Sequence, residues 1–309
     1  MQPTPTVLVC GATGALGSMI AARLAGRGAP IRALVRPTSE DVAIRKLGAE
    51  VVRGDLRRPG TLPPAVEGIR TVVSSANSLA RTLAGEHGLR VRDVDLDGYA
   101  SLIDAAEAAG VERFVFVSAA LHPVAVPLAP YAAAKAATEE RLRHSPIRSV
   151  LVRPDMFQEV WLTPETKFDW PAGKLTIFGR GNAKARYVAT GDVAELVVRL
   201  TLAADPPELV EFGGPEAFTR NEVADLFERE VGRTMRRRHV PRAALRVGCS
   251  VLRRARPTLA SVLGMALASD LVDASWTDAP LREAGIVPRS TTEYVRSAVR
   301  AIPAGAGEG

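Results

Sequence analysis

The sequence predicts an α/β protein built on a doubly wound parallel sheet of the Rossmann type, with a second, smaller C-terminal lobe. Two observations carry this prediction. Short apolar runs alternate with helical patterns through the first half of the chain, as expected of parallel strands covered on both faces. A glycine-rich segment, "GATGALG", joins the first apolar run to the first helical pattern, and sheets of this class bind ligands at that kind of turn.

The glycine-rich turn follows a strand predicted at residues 7–10, "VLVC", and leads into a helix that begins at Ala15. Gly11, Gly14 and Gly17 stand three residues apart across this junction. Glycines here permit a tight bend, close approach of a ligand and packing of the helix against the strand. The helix N-terminus presents N–H groups and the positive end of its dipole. We therefore predict that this turn binds a diphosphate.

The remaining strands of the predicted sheet follow in order along the chain. "PIRALVRPTS" is the second strand, and "GAEVVRGDL" is the third, after a short helix at residues 42–47. "RTVVSSA" is the fourth, and "VERFVFVSAA" is the fifth, after the helix "YASLIDAAEAAG". "IRSVLVRPDMF" is the sixth, after a helix that starts near Tyr131.

Beyond Pro154 the regular alternation stops. Residues 157–186 concentrate aromatic side chains among prolines and glycines; they either pack under a long loop or form a mobile flap over an apolar substrate. "YVATGDVAELVVRLTLA" then predicts a helix with Thr190 or Asp192 at its N-terminus, and "ELVEF" predicts a strand. The next helix is predicted to be capped by Thr219, with Glu222 completing a capping box.

These elements divide the chain into two parts. Residues 1–155 are predicted to form the dinucleotide-binding domain, to which residues 187–214 return. Residues 156–186 and 215–303 are predicted to form a substrate-binding lobe, and residues 304–309 are predicted to be a disordered tail.

Composition limits the possible classes of protein. With 47% hydrophobic residues among 309, the chain can bury a core, and no apolar run is long enough to predict a transmembrane helix. The N-terminus leads directly into a strand, which leaves no room for a signal peptide. Cys10 and Cys249 lie in apolar surroundings, as small core residues of a reduced, cytoplasmic protein would. No metal site and no membrane partner are predicted.

The net charge of +6 comes from a chain whose basic residues are almost all arginines, a composition typical of a GC-rich, bacterial genome. The basic run "RTMRRRHVPRAALRV" has almost no interleaved aromatic residues and no recognition motif, so it indicates a solvated face rather than a nucleic-acid-binding one. The predicted partner is a small-molecule substrate, and a homodimer is left open.

The end of the second strand indicates which dinucleotide binds. In NAD-binding folds an acidic residue about 20 positions past the glycines binds the ribose 2′-hydroxyl. Here the position is held by Arg36, and no acid appears before Glu40. Because guanidinium forms charge-assisted, bidentate bonds to phosphate, NADP is favoured over NAD. Asp55, which ends the third strand, either borders an adenine or caps a turn.

Three residues form a candidate catalytic constellation. Ser118 ends the fifth strand, Tyr131 follows 13 positions later, and Lys135 lies one helical turn beyond Tyr131. A phenol with a pKa near 10 is a weak base, and a neighbouring ammonium is expected to lower that pKa and ease proton transfer to or from a substrate oxygen. The serine hydroxyl can bind the same oxygen.

The chain resembles the short-chain dehydrogenase/reductase superfamily and, within it, the extended or atypical NmrA-like branch. The matching segments, in the family's order, are "GATGALG", "LVRPTS", "GDL", "AAEAAGVERFVFVSA", "YAAAK", "VRPDMF", "YVATGDVAE" and "FGGPEAFTRNEVADLF". The resemblance implies that Ser118 binds a carbonyl, Tyr131 donates a proton and Lys135 activates it. It implies that NADP is bound by Gly11, Thr13, Gly14, Leu16, Gly17, Arg36, Asp55, Leu56, Ser74, Ser75, Ala76, Asn77, Lys135 and Pro154. The substrate pocket is predicted to include Met156, Phe157 and Trp161.

The leading prediction is an NADPH-dependent reductase of a carbonyl or conjugated carbon in an apolar, ketone-, quinone- or polyketide-like substrate. Two alternatives remain open. An epimerase or dehydratase would use the same site and return the hydride, and a redox sensor would bind NADP(H) without catalysis. Where related reductases have an asparagine that supports a proton relay, this chain has Asp95, which leaves the relay in question.

Overall fold

The computed structural model describes residues 6–301 with the exception of residues 84, 87 and 121. The strands in chain order are β1 (Val7–Cys10), β2 (Ile31–Val35), β3 (Glu50–Arg53), β4 (Thr71–Ser74), β5 (Arg113–Val117), β6 (Arg148–Pro154), β7 (Phe168–Asp169), β8 (Lys174–Phe178), β9 (Lys184–Ala185), β10 (Leu209–Phe212), β11 (Phe218–Thr219) and β12 (Arg236–Val240).

The helices in chain order are α1 (Ala15–Gly26), α2 (Val42–Lys46), α3 (Pro63–Val66), α4 (Ser78–Leu83), α5 (Asp97–Ala108), α6 (Ala125–Leu128), α7 (Pro130–Arg143), α8 (Gln158–Trp161), α9 (Thr190–Leu202), α10 (Arg220–Val231), α11 (Arg242–Ala255), α12 (Pro257–Leu271), α13 (Ala279–Glu283) and α14 (Thr291–Arg300). Single 3-10 turns lie at Pro59–Thr61 and Pro164–Thr166, and a π-helical turn at Arg92–Leu96 precedes α5.

The central sheet has seven parallel strands in the order β10-β6-β5-β4-β1-β2-β3. The order reverses at β1, where Val9 pairs with Ala33 of β2 on one side and with Val73 of β4 on the other. Ligands of doubly wound sheets bind outside the carboxyl ends of the strands at such a reversal. The predicted fold class is therefore confirmed, and the glycine-rich turn lies at the reversal point.

Two apolar cores cover the two faces of the sheet. Successive residues of β5 show the division: Val115 contributes to the core under α1 and α9, and Phe116 contributes to the core under α5. Both residues are fully buried. Alternating strand residues thus serve opposite faces, which is why the strands read as continuous apolar runs.

The smaller lobe has its own core and its own sheet, in the order β12-β8-β7. Phe168 and Trp170 pack against Phe227 of α10, with ring centroids 5.6 and 4.9 Å apart respectively. The Phe168 and Trp170 rings are both buried. The structure therefore gives the packing alternative for these two aromatic residues, and the flap over the substrate pocket stays a prediction.

Of the two predicted helix N-caps, one is confirmed and one is wrong. The capping box of Thr219 and Glu222 at the start of α10 is confirmed. The N-cap of α9 is Ala189, not Thr190 or Asp192. Its first turn is capped instead by Glu159, whose Oε2 accepts from the backbone N–H of Thr190 at 3.0 Å. A cap supplied from another element leaves no local sequence signature.

Residues 187–214, which were predicted to return to the first domain, include α9, which packs against α1, and β10, the edge strand beside β6. Cys10 and Cys249 are unpaired and buried, as predicted. Over the described part of the chain, no helix has the length and hydropathy needed to cross a bilayer. The predicted tail, residues 304–309, lies outside the described residues, and the cytoplasmic location and the homodimer stay predictions.

Candidate active site

A cavity of about 790 Å³ opens at the carboxyl ends of the central strands. Its wall brings together most of the residues singled out in the sequence, from both parts of the chain. The predicted residues that line it are Gly11, Thr13, Gly14, Leu16, Gly17, Arg36, Asp55, Leu56, Ser75, Ala76, Asn77, Ser118, Tyr131, Pro154, Met156, Phe157 and Trp161.

Two predicted residues do not line this cavity. Ser74 is fully buried in β4, where its hydroxyl is hydrogen-bonded to that of Tyr99 at 2.8 Å. This position therefore fits a core residue better than the cofactor ligand that was predicted. Lys135 is also buried, but it lies directly behind the cavity wall beside Tyr131.

The glycine-rich turn requires glycine at two of its positions. Gly11 has φ +89°, in the left-handed region, and a Cβ there would lie 2.9 Å from the backbone nitrogen of Ala76. A Cβ at Gly17 would lie 2.0 Å from the carbonyl oxygen of Gly11. Helix α1 starts at this point with no side-chain cap and no acidic residue in its first turn. Its N-terminus is thus available to an anion.

Tyr131 is held by three different elements. It lies in the first turn of α7, and its backbone N–H donates to the Ser261 hydroxyl of α12 at 3.0 Å. Its ring packs in an apolar cluster with Leu79, Val91 and Ala134. The phenol makes no hydrogen bond to any residue that the structure describes, and it faces the cavity. It is therefore fixed in position and free to bind a ligand.

Lys135 lies one turn further along α7 with its ammonium buried. Nζ donates to the carbonyl oxygen of Val117 at 2.8 Å and lies 4.3 Å from the ring centroid of Phe116. Burial lowers the pKa of Lys135 to about 8, although Asp95 and Glu139 act in the opposite direction. The ammonium is therefore poorly solvated and close to the phenol, with Nζ 5.5 Å from the Tyr131 ring centroid.

The expectation that Lys135 lowers the pKa of Tyr131 is wrong for the free protein. Burial raises the pKa of Tyr131 well above its ordinary value, and the negative charge of Asp95 raises it further. Desolvation disfavours a phenolate more strongly than an ammonium at this distance stabilises it. Tyr131 is therefore a neutral phenol near pH 7, which suits a proton donor better than a base.

Ser118 follows β5 and lines the same cavity. Its buried hydroxyl makes no hydrogen bond of ordinary geometry to a described residue. It lies close enough to Glu139 to contribute to the lowered pKa of that carboxyl, whose main hydrogen-bond partner is Arg153. Buried polar groups normally find a partner, so the unsatisfied hydroxyl of Ser118 is suited to a ligand oxygen.

Asp95, which stands where related reductases have an asparagine, contacts the start of α4. It is fully buried in the π-helical turn, and its carboxylate accepts from both the backbone N–H and the hydroxyl of Ser78 at the start of α4. Burial raises the pKa of Asp95. Asp95 does not line the cavity. Its contacts position helix α4, and a part in a proton relay stays a prediction.

Arg36 and Asp55 follow β2 and β3, on the other side of β1 from the strand that precedes Tyr131. They therefore line the end of the cavity away from Tyr131. The guanidinium of Arg36 contacts the Glu86 carboxylate, with Nη1 2.9 Å from Oε2. Asp55 accepts from the backbone N–H of Arg57 at 3.0 Å and forms an ion pair with its side chain. Burial opposes ionisation of Asp55, but the bonds from Arg57 hold its pKa below the ordinary value. Asp55 therefore caps the turn that leads to Arg57, which is the second of the two alternatives given for it.

Several cavity residues were missed from the sequence. Asp155 directly follows Pro154, and burial raises its pKa to about 6; its position in "VRPDMF" could have indicated it. Other missed residues come from the chain after residue 260, where no motif points to a site. They include Met265, Ala268, Ser269, Val272 and Trp276; Arg81 and Glu86, which also line the cavity, were missed as well.

Comparisons with known proteins agree with this architecture. The model of the NmrA-like family matches residues 3–259. A chloroplastic protein of Arabidopsis thaliana named for high chlorophyll fluorescence phenotype 244 is 34% identical over 260 residues, which cover 80% of this chain and 60% of that protein. The chain thus spans less than two thirds of that relative.

A photosystem II assembly factor from Synechocystis sp. is 30% identical over 247 residues, which cover 78% of this chain and 72% of that protein. Among solved structures, an NADPH-dependent quinone oxidoreductase from Escherichia coli, complexed with NADPH, superposes with a TM-score of 0.75. That superposition covers 95% of this chain and 99% of the other at 21% identity, and it shows a shared fold.

Proposed function

The chain belongs to the NmrA-like family, and on that premise we propose that it is an NADPH-dependent reductase of a small apolar substrate. One observation carries the proposal. The Tyr131 and Ser118 hydroxyls form no hydrogen bond of ordinary geometry to a described residue, the Ser118 hydroxyl is buried, and both residues line the cavity that also contains the glycine-rich turn. A binding module has no need of an unpartnered proton donor at that point.

The residues at this cavity fit a dinucleotide. The Cβ positions of Gly11 and Gly17 would collide with backbone, so the turn offers backbone N–H groups at close range. The uncapped start of α1 suits the diphosphate, and Arg36 suits a 2′-phosphate. When bound, NADPH would supply the hydride.

The chain's own residues would supply the proton and orient the acceptor. Ser118 would donate a hydrogen bond to the substrate oxygen, and Tyr131 would transfer its phenolic proton to that oxygen as the carbon accepts the hydride. The phenolate left on Tyr131 would be stabilised by the ammonium of Lys135, which is held beside it by the Val117 carbonyl. The raised pKa of Tyr131 keeps the proton in place until negative charge develops on the acceptor.

The substrate class follows from the rest of the wall. Beyond the hydroxyls the cavity is lined by apolar side chains that include Val160, Trp161, Met265 and Trp276. Such a wall favours an aromatic or conjugated carbonyl compound, because its apolar surface leaves water on binding. Quinones, aromatic ketones and enones are the substrates to test first.

The test compares wild type with Tyr131→Phe for NADPH oxidation against a panel of those compounds. Loss of the general acid should lower turnover by about 10²–10⁴-fold, with NADPH affinity and the unfolding transition unchanged. Tyr187→Phe is the matched control, because Tyr187 is a buried tyrosine that does not line this cavity. A substrate that Tyr131→Phe reduces as fast as wild type does would refute the assigned proton donor.

A second function is favoured by the photosystem II assembly factor that the chain resembles at 30% identity. In this alternative the protein binds NADP(H) and engages another protein without turnover. It predicts tight NADPH binding, no oxidation with any acceptor of the panel, and no effect of Tyr131→Phe on partner binding. Turnover that depends on the Tyr131 hydroxyl would exclude it.

A further inference from the structure

A cluster of two arginines and one carboxylate, Arg36, Arg81 and Glu86, lies at the end of the cavity next to the carboxyl end of β2. The Glu86 carboxylate accepts from Arg36 Nη1 at 2.9 and 3.0 Å and from Arg81 Nε at 2.9 Å, with Arg81 Nη2 as a further donor. All three side chains are only partly exposed, Arg81 least at 17%. All three line the cavity.

The two arginines approach from opposite sides of β1. Arg36 directly follows β2, and Arg81 lies on α4, the helix that follows β4. β2 and β4 flank β1 in the sheet, so the guanidinium groups converge beyond the end of the strand that carries the glycine-rich turn. Helix α4 is fixed in turn by Asp95, which binds Ser78 at its first residue. The convergence is thus built into the fold.

The charge of this cluster matches a phosphomonoester better than a carboxylate. The two guanidinium groups carry a total charge of +2, and the Glu86 carboxylate carries a charge of only −1. A phosphomonoester carries between −1.5 and −2 near neutral pH and has three acceptor oxygens for the forked donors of two arginines. The bonds from Arg81, followed by those from Arg36, already lower the pKa of Glu86, which shows that the two arginines favour an anion between them.

Glycines stand close to Glu86 on both sides. It is flanked by Gly85 with φ +91° and Gly88 with φ +77°, and a Cβ at either glycine would meet nothing within 4 Å. Backbone rotation at these glycines is inexpensive. The Glu86 backbone N–H donates to the carbonyl oxygen of Arg81 at 3.0 Å.

We propose that Arg36 and Arg81 together form the binding site for a phosphomonoester, the 2′-phosphate of NADPH, and that Glu86 occupies this site in the free protein until the phosphate displaces it. This inference rests on the proposed function and adds to it a second arginine and an internal competitor. Selection of NADPH over NADH then comes from the two arginines, and displacement of Glu86 limits how tightly the 2′-phosphate binds.

The experiment is calorimetric titration of the full chain with NADPH and NADH, and with adenosine 2′,5′-bisphosphate and 5′-AMP as probes of the adenosine half. Arg81→Gln should weaken NADPH and the bisphosphate by about 10- to 100-fold, the range for a charge-assisted hydrogen bond, and should change NADH and 5′-AMP less than about twofold. Glu86→Gln should tighten the two 2′-phosphorylated ligands several-fold and leave the others unchanged.

The matched control is the exposed ion pair formed by Arg70 and Glu112, whose Nη2 and Oε2 are 2.8 Å apart. These residues directly precede β4 and β5, at the amino ends of the strands and away from the cavity. Arg70→Gln and Glu112→Gln should leave all four affinities at wild-type values. If Arg81→Gln proves unfolded, Glu86→Gln alone decides, because it keeps both arginines.

Equal losses for NADPH and NADH in Arg81→Gln, or weaker NADPH binding in Glu86→Gln, would overturn the proposal. These outcomes are separable from failure of the proposed reductase. Selective effects on the 2′-phosphorylated ligands with no turnover would support the arginine pair and reject the reductase, whereas turnover with unselective effects would do the reverse.

Discussion

Replacing Lys135 with methionine should remove a pH-dependent part of the stability of the free protein. The ammonium is buried, and its contacts are one carbonyl oxygen and aromatic rings. Burial lowers its pKa from 10.5 to about 8. Between these two pH values the unfolded chain binds a proton that the folded chain has released, so the free energy of unfolding rises with pH across this window.

The magnitude follows from the difference between a pKa of 10.5 and one of about 8. At about 1.4 kcal/mol for each pH unit, the wild type should gain about 3 kcal/mol of stability across the window. Below pH 8 the charged side chain carries that penalty, partly offset by its hydrogen bond to Val117. Methionine has a similar length and no charge, so Lys135→Met should show none of this gain, whatever its stability at pH 7.

Urea unfolding of the cofactor-free protein at several pH values between 7 and 10.5 measures the effect. Other groups titrate in this range in both proteins, so the prediction concerns the difference between wild type and variant. Lys46→Met is the control, because Lys46 is exposed on α2, and its pH profile should run parallel to that of wild type. Parallel profiles for wild type and Lys135→Met would refute the claim that the ammonium is desolvated.

Two further predictions concern stability and cofactor affinity. Gly17→Ala should lower the free energy of unfolding by about 1–3 kcal/mol, the usual range for overpacking, because its Cβ would lie 2.0 Å from the Gly11 oxygen. The same clash should weaken NADPH binding. Gly26→Ala, on the same helix, should instead raise the free energy of unfolding by about 0.5 kcal/mol, because a Cβ there meets nothing within 4 Å. Thermal unfolding and calorimetry check both, and equal effects would count against the steric explanation. Burial raises the pKa of Asp155 from 3.8 to about 6. The free energy of unfolding of the wild type should therefore fall by about 3 kcal/mol as the pH rises across this range, and Asp155→Asn should abolish this fall. Unfolding curves across that range measure it, and a variant as pH-sensitive as wild type would contradict the assignment.

The sheet was predictable because its signals are local. The apolar runs and the glycine-rich turn lie within a few residues of one another, and parallel strands bring their carboxyl ends to one edge wherever the intervening helices lie. This is why Ser118 and Tyr131, 13 residues apart, could be expected at one cavity. The position of Lys135 followed in the same way from the helical repeat.

The electrostatics of the site could not be predicted, since they depend on contacts between distant segments. The pKa of Tyr131 rises because α12, some 130 residues away, and α4 help to bury it. Arg36 contacts a carboxylate 50 residues further along the chain. The Arg36 position indicated a phosphate ligand, but no pattern in the sequence could indicate that a carboxylate would hold it.

The position of α12 has a consequence for the order in which the protein is completed on the ribosome. The central sheet gains its last strand once residues 209–212 have emerged. The cavity gains the wall that contains Met265, Ser269 and Trp276 only after a further 60 or so residues. A nascent chain therefore acquires the glycine-rich turn and the paired strands well before the Ser261 hydroxyl is present to accept the hydrogen bond from the Tyr131 backbone N–H. Synthesis interrupted in that interval would leave a folded sheet with an open, apolar face, and the enclosed site forms only once α12 and the residues up to Trp276 have emerged.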